Sequence, residues 1–317
     1  ENGRKLIGWD EILEGGLPEG ATVQSWRGIE GGVAAVAAGK NAIMSPTSHC
    51  YFDYPLSATD MEEVYQFEPS PNDLKGEGRI LGGECNMWTE HAPQEVVESK
   101  IFPRILAMAE VLWSPSDLRD YSGFQRRKEQ HDQRLQAWGV DSGLESEPLE
   151  TIWGKGNNVF RVEVQVNAAL KGIEGEVTFT PYSALEETSS HELGSSIQVT
   201  GEGVLQARLT RYGSPLRDEV RLPVAGHLGV HSEAIIGHEL SPYYPGGGAK
   251  GLADGRLGSL DFRDGCWQAV AKEDMSLTLA FPQAIQLDSL SIQCYRYQDA
   301  WIFLPESLVF EWSMDGV

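Results

Sequence analysis

Four short clusters near the start of the chain hold the residues best suited to chemistry: Trp9-Asp10-Glu11, Trp26-Arg27, His49-Cys50-Tyr51-Phe52-Asp53 and Trp88-Thr89-Glu90. Three indoles, a phenol and several carboxylates suit a hydroxyl-rich ligand. Indole faces line an apolar-walled pocket and stack on the C–H face of a sugar ring, while carboxylates accept hydrogen bonds from hydroxyls. Tyr51 and Asp53 alternate across Phe52, so an extended backbone presents both side chains on one side. The other histidines, His91, His131, His191, His227, His231 and His238, show no metal-ligand spacing on one element. No metal or other cofactor is expected.

Each cluster follows a short apolar run. Lys5–Trp9, Ala21–Trp26, Asn41–Ser45 and Arg79–Gly83 read as buried parallel strands. Between the second and third, the Ala-rich stretch Gly31–Gly39 predicts a helix stopped by Gly39. Glu95–Trp113 predicts another, with Val97, Ile101, Ile105, Met108 and Leu112 on one face and Pro115 just past its end. Trp113 and Trp138 fall in predicted helices and are expected to pack. Alternating strand and helix implies an α/β layer or a barrel. A (β/α)₈ barrel places its chemistry at the C-terminal ends of its strands, where all four clusters stand, but it needs eight strands and only four are visible here.

After Gly139 the composition changes. Residues 141–157 open with Asp141-Ser-Gly-Leu-Glu-Ser-Glu-Pro148 and read as a linker. In 158–226, period-2 runs at Val159–Val166, Glu176–Thr180, Ser196–Val199 and Val204–Leu209 predict a small antiparallel sandwich. In 227–317, strands are expected at Ser276–Phe281, Leu290–Cys294 and Leu308–Trp312, suggesting a second sandwich of jelly-roll type.

Charge narrows the partners. With 25 Lys+Arg against 47 Asp+Glu the net charge is -22, which repels nucleic acid and anionic membrane surfaces. A neutral ligand fits better. No apolar run approaches the length of a membrane span. The four cysteines are too few and too scattered for a disulfide framework and form no Cys-x-x-Cys pair, so they read as small buried hydrophobes.

The blocks Ile7-Gly-Trp-Asp-Glu-Ile12, Val23-Gln-Ser-Trp-Arg27, Ser45-Pro-Thr-Ser-His-Cys-Tyr-Phe-Asp53, Gly82-Gly-Glu-Cys-Asn-Met-Trp-Thr-Glu90 and Phe102-Pro-Arg-Ile-Leu-Ala-Met-Ala-Glu110 resemble, in order and spacing, the family 20 glycoside hydrolases, the retaining β-N-acetylhexosaminidases. The resemblance implies that residues 1–140 are the C-terminal half of a (β/α)₈ catalytic barrel. It implies that Trp9, Trp26 and Trp88 box a substrate's N-acetyl group, that Tyr51 holds the acetamido oxygen, and that Asp53 and Glu90 bind sugar hydroxyls. Arg27 and His49 would be supporting residues that fix a carboxylate or a carbonyl. That family uses substrate-assisted retention without a metal: the substrate's acetamide oxygen attacks the anomeric carbon while an adjacent Asp-Glu pair orients the acetamide and protonates the leaving oxygen.

The family's His-x-Gly-Gly-Asp-Glu block, which carries that acid pair, is absent and would lie upstream of Trp9. Gly82-Gly83-Glu84 is no substitute, because no His precedes it at the right spacing and Cys85 follows. Asp10-Glu11 follows Trp9 in a fifth-strand block and reads as a loop or helix-start feature. The isolated chain is therefore expected to be inactive, supplying the sugar-binding half of the enzyme. The rival expectation is a non-catalytic carbohydrate-binding or structural protein derived from such an enzyme. Residues 158–226 resemble fibronectin-III-associated modules, with the usual turn replaced by Thr180-Pro-Tyr-Ser, and 227–317 resemble a truncated discoidin-like, galactose-binding-type sandwich in which Trp267 and Trp301 either contact glycans or pack. A missing half barrel or a second copy is the expected partner. A periplasmic, cell-surface or secreted bacterial location follows from the same resemblance.

Overall fold

The computed structural model describes residues 3–90, 92–154, 160–183, 189–216, 219–241 and 244–313. His91, the expected join of linker and sandwich at 155–159, the Pro242-Tyr243 pair and residues 314–317 lie outside them. The chain divides into two compact units, Glu1–Glu147 and Pro148–Val317.

The first unit is an α/β layer. Strands β1 (Ile7–Trp9), β2 (Thr22–Ser25), β3 (Asn41–Met44) and β4 (Ile80–Gly83) form one parallel sheet in sequence order. Each lies inside an apolar run expected to be a strand. β2 is buried along its whole length, as in a strand covered on both faces, and Ala42 and Met44 bury one face of β3. Helix α1 (Glu30–Ala37) joins β2 to β3 and ends beside Gly39, whose φ of 73° is the left-handed backbone that glycine adopts without strain. A single turn, α2 (Thr47–Cys50), follows β3. Helix α3 (Met61–Gln66) starts at Asp60, whose carboxylate accepts from the Glu63 N–H at 2.8 Å. Met44, Phe52, Met61, Val64, Phe67, Met108 and Phe124 share the core.

Beyond β4, the single helix expected over Glu95–Trp113 is two. α4 (Val97–Ile101) stops before Phe102-Pro103 and α5 (Arg104–Trp113) restarts after it. Proline has no N–H for the preceding turn and its ring crowds a carbonyl there, so the helix cannot run through it unbroken. The buried face of α5 is Arg104, Ala107, Met108 and Val111, and Leu112 is largely out of it. Trp113, expected to pack, is 89% exposed, and Trp138, at the end of α6 (Tyr121–Ala137), is 75% exposed. Both stand past the last residue of their helix that faces the core. Asp120 caps α6, accepting from Gly123 N–H at 3.0 Å. Asp120→Ala is expected to destabilise this unit by about 1 kcal/mol, read as a lower urea midpoint at unchanged slope.

The second unit is antiparallel β-structure. β5 (Leu149–Trp153), β6 (Phe160–Val166) and β9 (Ser196–Val199) make one sheet. In the other, β10 (Glu202–Arg211) pairs with β7 (Ile173–Pro181) on one edge and with β11 (Ser214–Pro215) and β12 (Val220–Ala225) on the other, while β8 (Ser190–Glu192) pairs with β7. The expected period-2 runs at Glu176–Thr180, Ser196–Val199 and Val204–Leu209 fall in these strands, as does the described part of the run at Val159–Val166, residues 160–166. β5 lies within the stretch expected to be linker, since Leu149 to Trp153 pairs in register with Val166 to Val162. In 227–313, β13 (Glu233–Ile236) pairs with β14 (Leu277–Ala280), so the run at Ser276–Phe281 is a strand. The other two expected strands, at 290–294 and 308–312, do not form among the described residues, and Leu290, Ile292, Leu308 and Val309 are exposed. An apolar alternation becomes a strand only where a neighbour completes its hydrogen bonds. Trp267 packs on Tyr295 with ring centroids 5.1 Å apart, whereas Trp301 is 83% exposed. Among the described residues no helix is long and apolar enough to cross a membrane.

Candidate functional site

All four clusters stand at the C-terminal ends of β1 to β4. In a flat sheet the first and fourth strands lie about 14 Å apart. The ring centroids of Trp9, which closes β1, and Trp88, which follows β4, are 6.2 Å apart. Curl of the sheet and the return of residues 84–88 bring them together. A parallel bridge between Tyr51 and Asn86 ties that return to the exit of β3, with Asn86 N–H donating to the Cys50 carbonyl at 2.8 Å and Phe52 N–H to the Asn86 carbonyl at 2.9 Å. Trp26 and Tyr51 form a second ring pair at 6.4 Å. The Trp88 side chain hydrogen-bonds to Tyr51, which joins the two pairs into one aromatic group.

That group is an open wall with a buried base. Trp9 and Trp88 are 37% and 44% exposed, while Tyr51 is 6% exposed. Burial pushes the Tyr51 phenol well above its ordinary range, against the opposing pull of the Trp88 hydrogen bond. Tyr51 therefore stays protonated and can donate to an acceptor at neutral pH. A hollow of about 360 Å³ lies against α1, lined by Ile29, Val33, Ala37 and Pro71, and does not include the aromatic group.

Asp53 is buried in the segment that follows Tyr51, and its carbonyl accepts from Lys100 Nζ at 2.6 Å. The same segment is gripped by Arg104, 2% exposed, which donates to the carbonyls of Phe52 at 2.5 Å and Thr59 at 2.7 Å and to the Lys100 carbonyl at 2.7 Å. Burial holds the Arg104 guanidinium down to about 10, so it remains charged at neutral pH, favoured by the Asp53 charge. Arg104 was missed as a site-supporting residue. Its one available signal was an arginine among the apolar residues of a buried helix.

Glu90 is exposed just beyond Trp88. His49 faces α3 instead of the aromatic group: Nδ1 is 2.7 Å from Ser48 Oγ, Nε2 is 3.5 Å from Glu63 Oε1, and the ring lies 5.3 Å from Phe67. Burial lowers the His49 pKa and raises that of Glu63, so both are pushed towards their neutral forms and the contact is a weak ion pair.

The Asp10-Glu11 pair does open a short 3-10 turn, Asp10–Leu13, as expected. It also organises the exit of β2, a role that no local pattern marks. Asp10, buried, takes Arg27 Nε at 2.7 Å and the backbone N–H groups of Trp26 and Arg27 at 3.3 and 3.4 Å. Arg27 also reaches Glu14 at 3.0 Å. Glu11 takes the Trp26 indole N–H on both oxygens, at 3.1 and 3.0 Å. Gln24 of β2 donates to Glu84 at 2.7 Å, linking β2 to the exit of β4. Among the described residues no group of three or more His, Cys, Asp or Glu is placed to hold a metal ion.

Residues 1–116 match the catalytic domain of glycosyl hydrolase family 20. The resemblance to the family 20 β-N-acetylhexosaminidases is thus shown for the segment that carries the aromatic group. A β-hexosaminidase of Porphyromonas gingivalis is 37% identical over 44% of this chain and 20% of its own length. A β-N-acetylhexosaminidase of Cellulomonas fimi is 33% identical over 41% of this chain and 29% of its own. The chain therefore spans less than a third of the length of these two relatives. Among solved structures, a family 20 exo-β-N-acetylglucosaminidase from Vibrio harveyi aligns at 24% identity and a TM-score of 0.42, covering 46% of this chain and 25% of that one.

Proposed function

We propose that residues 1–140 form the sugar-binding half of a family 20 catalytic barrel, in a protein that removes terminal β-linked N-acetylglucosamine or N-acetylgalactosamine by substrate-assisted retention. The observation that carries this reading is the single aromatic group built from four successive strand exits, closed by the 6.2 Å approach of Trp9 and Trp88. In it, Trp9, Trp26 and Trp88 enclose the acetamido group and the Tyr51 hydroxyl donates to its oxygen. Asp53 and Glu90 accept hydrogen bonds from ring hydroxyls. The nucleophile is a floppy substituent of the substrate, and holding it in near-attack geometry is what a tight aromatic box contributes to the rate.

The adjacent Asp-Glu pair of the family does not occur in a His-x-Gly-Gly-Asp-Glu block within residues 1–317. Asp10 and Glu11 are already engaged by Arg27 and Trp26. The chain alone is expected to bind sugar without cleaving it, and a complementary half barrel is its natural partner. The second unit then comprises a fibronectin-III-associated spacer over 158–226 and a discoidin-like module over 227–317.

Titrating the chain with N-acetylglucosamine and with glucose, followed by tryptophan fluorescence, tests this. N-acetylglucosamine is expected to bind and glucose not, with Trp26→Ala and Trp88→Ala each weakening the response about tenfold. An equal response to both sugars would refute acetamide recognition. Turnover of an aryl N-acetylglucosaminide by the chain alone, above background, would refute the assignment of the acid pair elsewhere.

A further inference from the structure

We infer that Glu11 is a positioning residue that sets the plane of the Trp26 indole, while Asp10 fixes the backbone from which that indole projects; what the indole then does for a ligand rests on the family 20 reading. An indole carries one donor, and here it is divided between the two oxygens of the Glu11 carboxylate at 3.1 and 3.0 Å. The second torsion of a tryptophan side chain is broad, so apolar packing alone leaves the ring able to turn. A charge-assisted hydrogen bond from its edge to a carboxylate selects one plane. Below it, Asp10 holds the Trp26 and Arg27 backbone and the Arg27 side chain, which removes the remaining freedom of the strand exit.

Two consequences follow for the site. With its N–H committed to Glu11, Trp26 offers a ligand only its faces and C–H edges, so it contributes stacking and no hydrogen bond. The orientation also responds to acid. The groups facing Glu11 are Asp10 on its own turn and Trp26 and Arg27 from the exit of β2, with Glu14 on the far side of Arg27. Burial raises the Glu11 carboxyl, but the Trp26 hydrogen bond, the local backbone and the Arg27 charge together hold it below its ordinary value. A carboxyl lowered in the folded state keeps its contact above the ordinary glutamate range and loses it as pH falls through the lowered value.

The indole N–H resonances of the ¹⁵N-labelled chain, with Trp26 identified among the nine tryptophans by Trp26→Phe, test the proposal. The Trp26 indole proton is expected downfield and should shift in an acid titration with a midpoint below that of an ordinary glutamate. In Glu11→Gln, whose amide oxygen still accepts, it should stay displaced but lose the titration. In Glu11→Ala it should move to the position of an exposed indole, with N-acetylglucosamine binding about tenfold weaker, against about twofold in Glu11→Gln. An unchanged Trp26 resonance in Glu11→Ala, or a titration that persists in Glu11→Gln, overturns the proposal. If Glu11→Ala fails to fold, the Glu11→Gln titration decides. A wild-type chain whose indoles ignore N-acetylglucosamine would sink the family 20 reading, while the acid titration would still settle the Glu11 contact.

Discussion

Arg104→Met is expected to destabilise the N-terminal unit by about 3–5 kcal/mol and to abolish its response to N-acetylglucosamine. The guanidinium is 2% exposed and supplies the donors for the carbonyls of Phe52, Thr59 and Lys100, which lie in or against the segment leaving Tyr51. Methionine fills much of the same volume but donates nothing, and each stranded buried carbonyl costs about 1–3 kcal/mol. The stacking of the guanidinium on the Phe52 ring, 4.9 Å from its centroid, goes as well. Part of the loss is offset, because Arg104 is held in the fold against a desolvation cost that lowers its pKa to about 10. Urea unfolding with the slope held fixed measures the balance. A change below about 1 kcal/mol would mean that residues 52–59 hold their own shape, and that Asp53 and Tyr51 need no clamp from α5.

Lys128→Met should cost the same unit about 3 kcal/mol. Its ammonium lies 2.6 Å from both Asp132 and Glu145, and its side chain is 6% exposed. Removing one member of a buried ion pair is worse than never having had it, because the surviving charge keeps its desolvation cost and loses its compensation. Lys128→Met with Glu145→Gln should therefore recover part of the loss; a double variant as unstable as the sum of the two singles would contradict this. The Glu145 carbonyl also accepts the Met61 N–H at 2.8 Å, so the damage reaches the start of α3. Residues 52–61 are thus held at one end by Arg104 and at the other by Glu145, which Lys128 of α6 anchors. The Arg104 and Lys128 variants are expected to couple by at least about 0.5 kcal/mol.

Much of this was readable before any coordinates. The four apolar runs of the N-terminal unit became β1 to β4, because a short apolar run bounded by polar and glycine residues marks a strand locally, whether it is enclosed like β2 or lies at an edge with Ile7 or Leu81 exposed, as in β1 and β4. The period-2 runs became β6, β7, β9 and β10 for an equally local reason. The family 20 likeness rested on ordered blocks of residues and was upheld. The break at Pro103 was also legible, and was overrun by a periodic pattern that counted apolar positions across it.

Other features depended on who meets whom. Glu11 finds Trp26 at a separation of 15 residues and Arg104 finds Phe52 at 52, and no local pattern marks either partner. Trp113 ends an apolar helix and Trp138 a polar one, and both rings are left exposed. Residues 290–294 alternate like a strand but lie beside no strand that pairs with them among the described residues. Residue order alone was enough for element type and for the family likeness, since period and burial are properties of a few neighbours. The approach of Trp9 to Trp88, and the hydrogen bonds that orient the wall between them, were decided only by the folded path, which joins residues from opposite edges of one curled sheet.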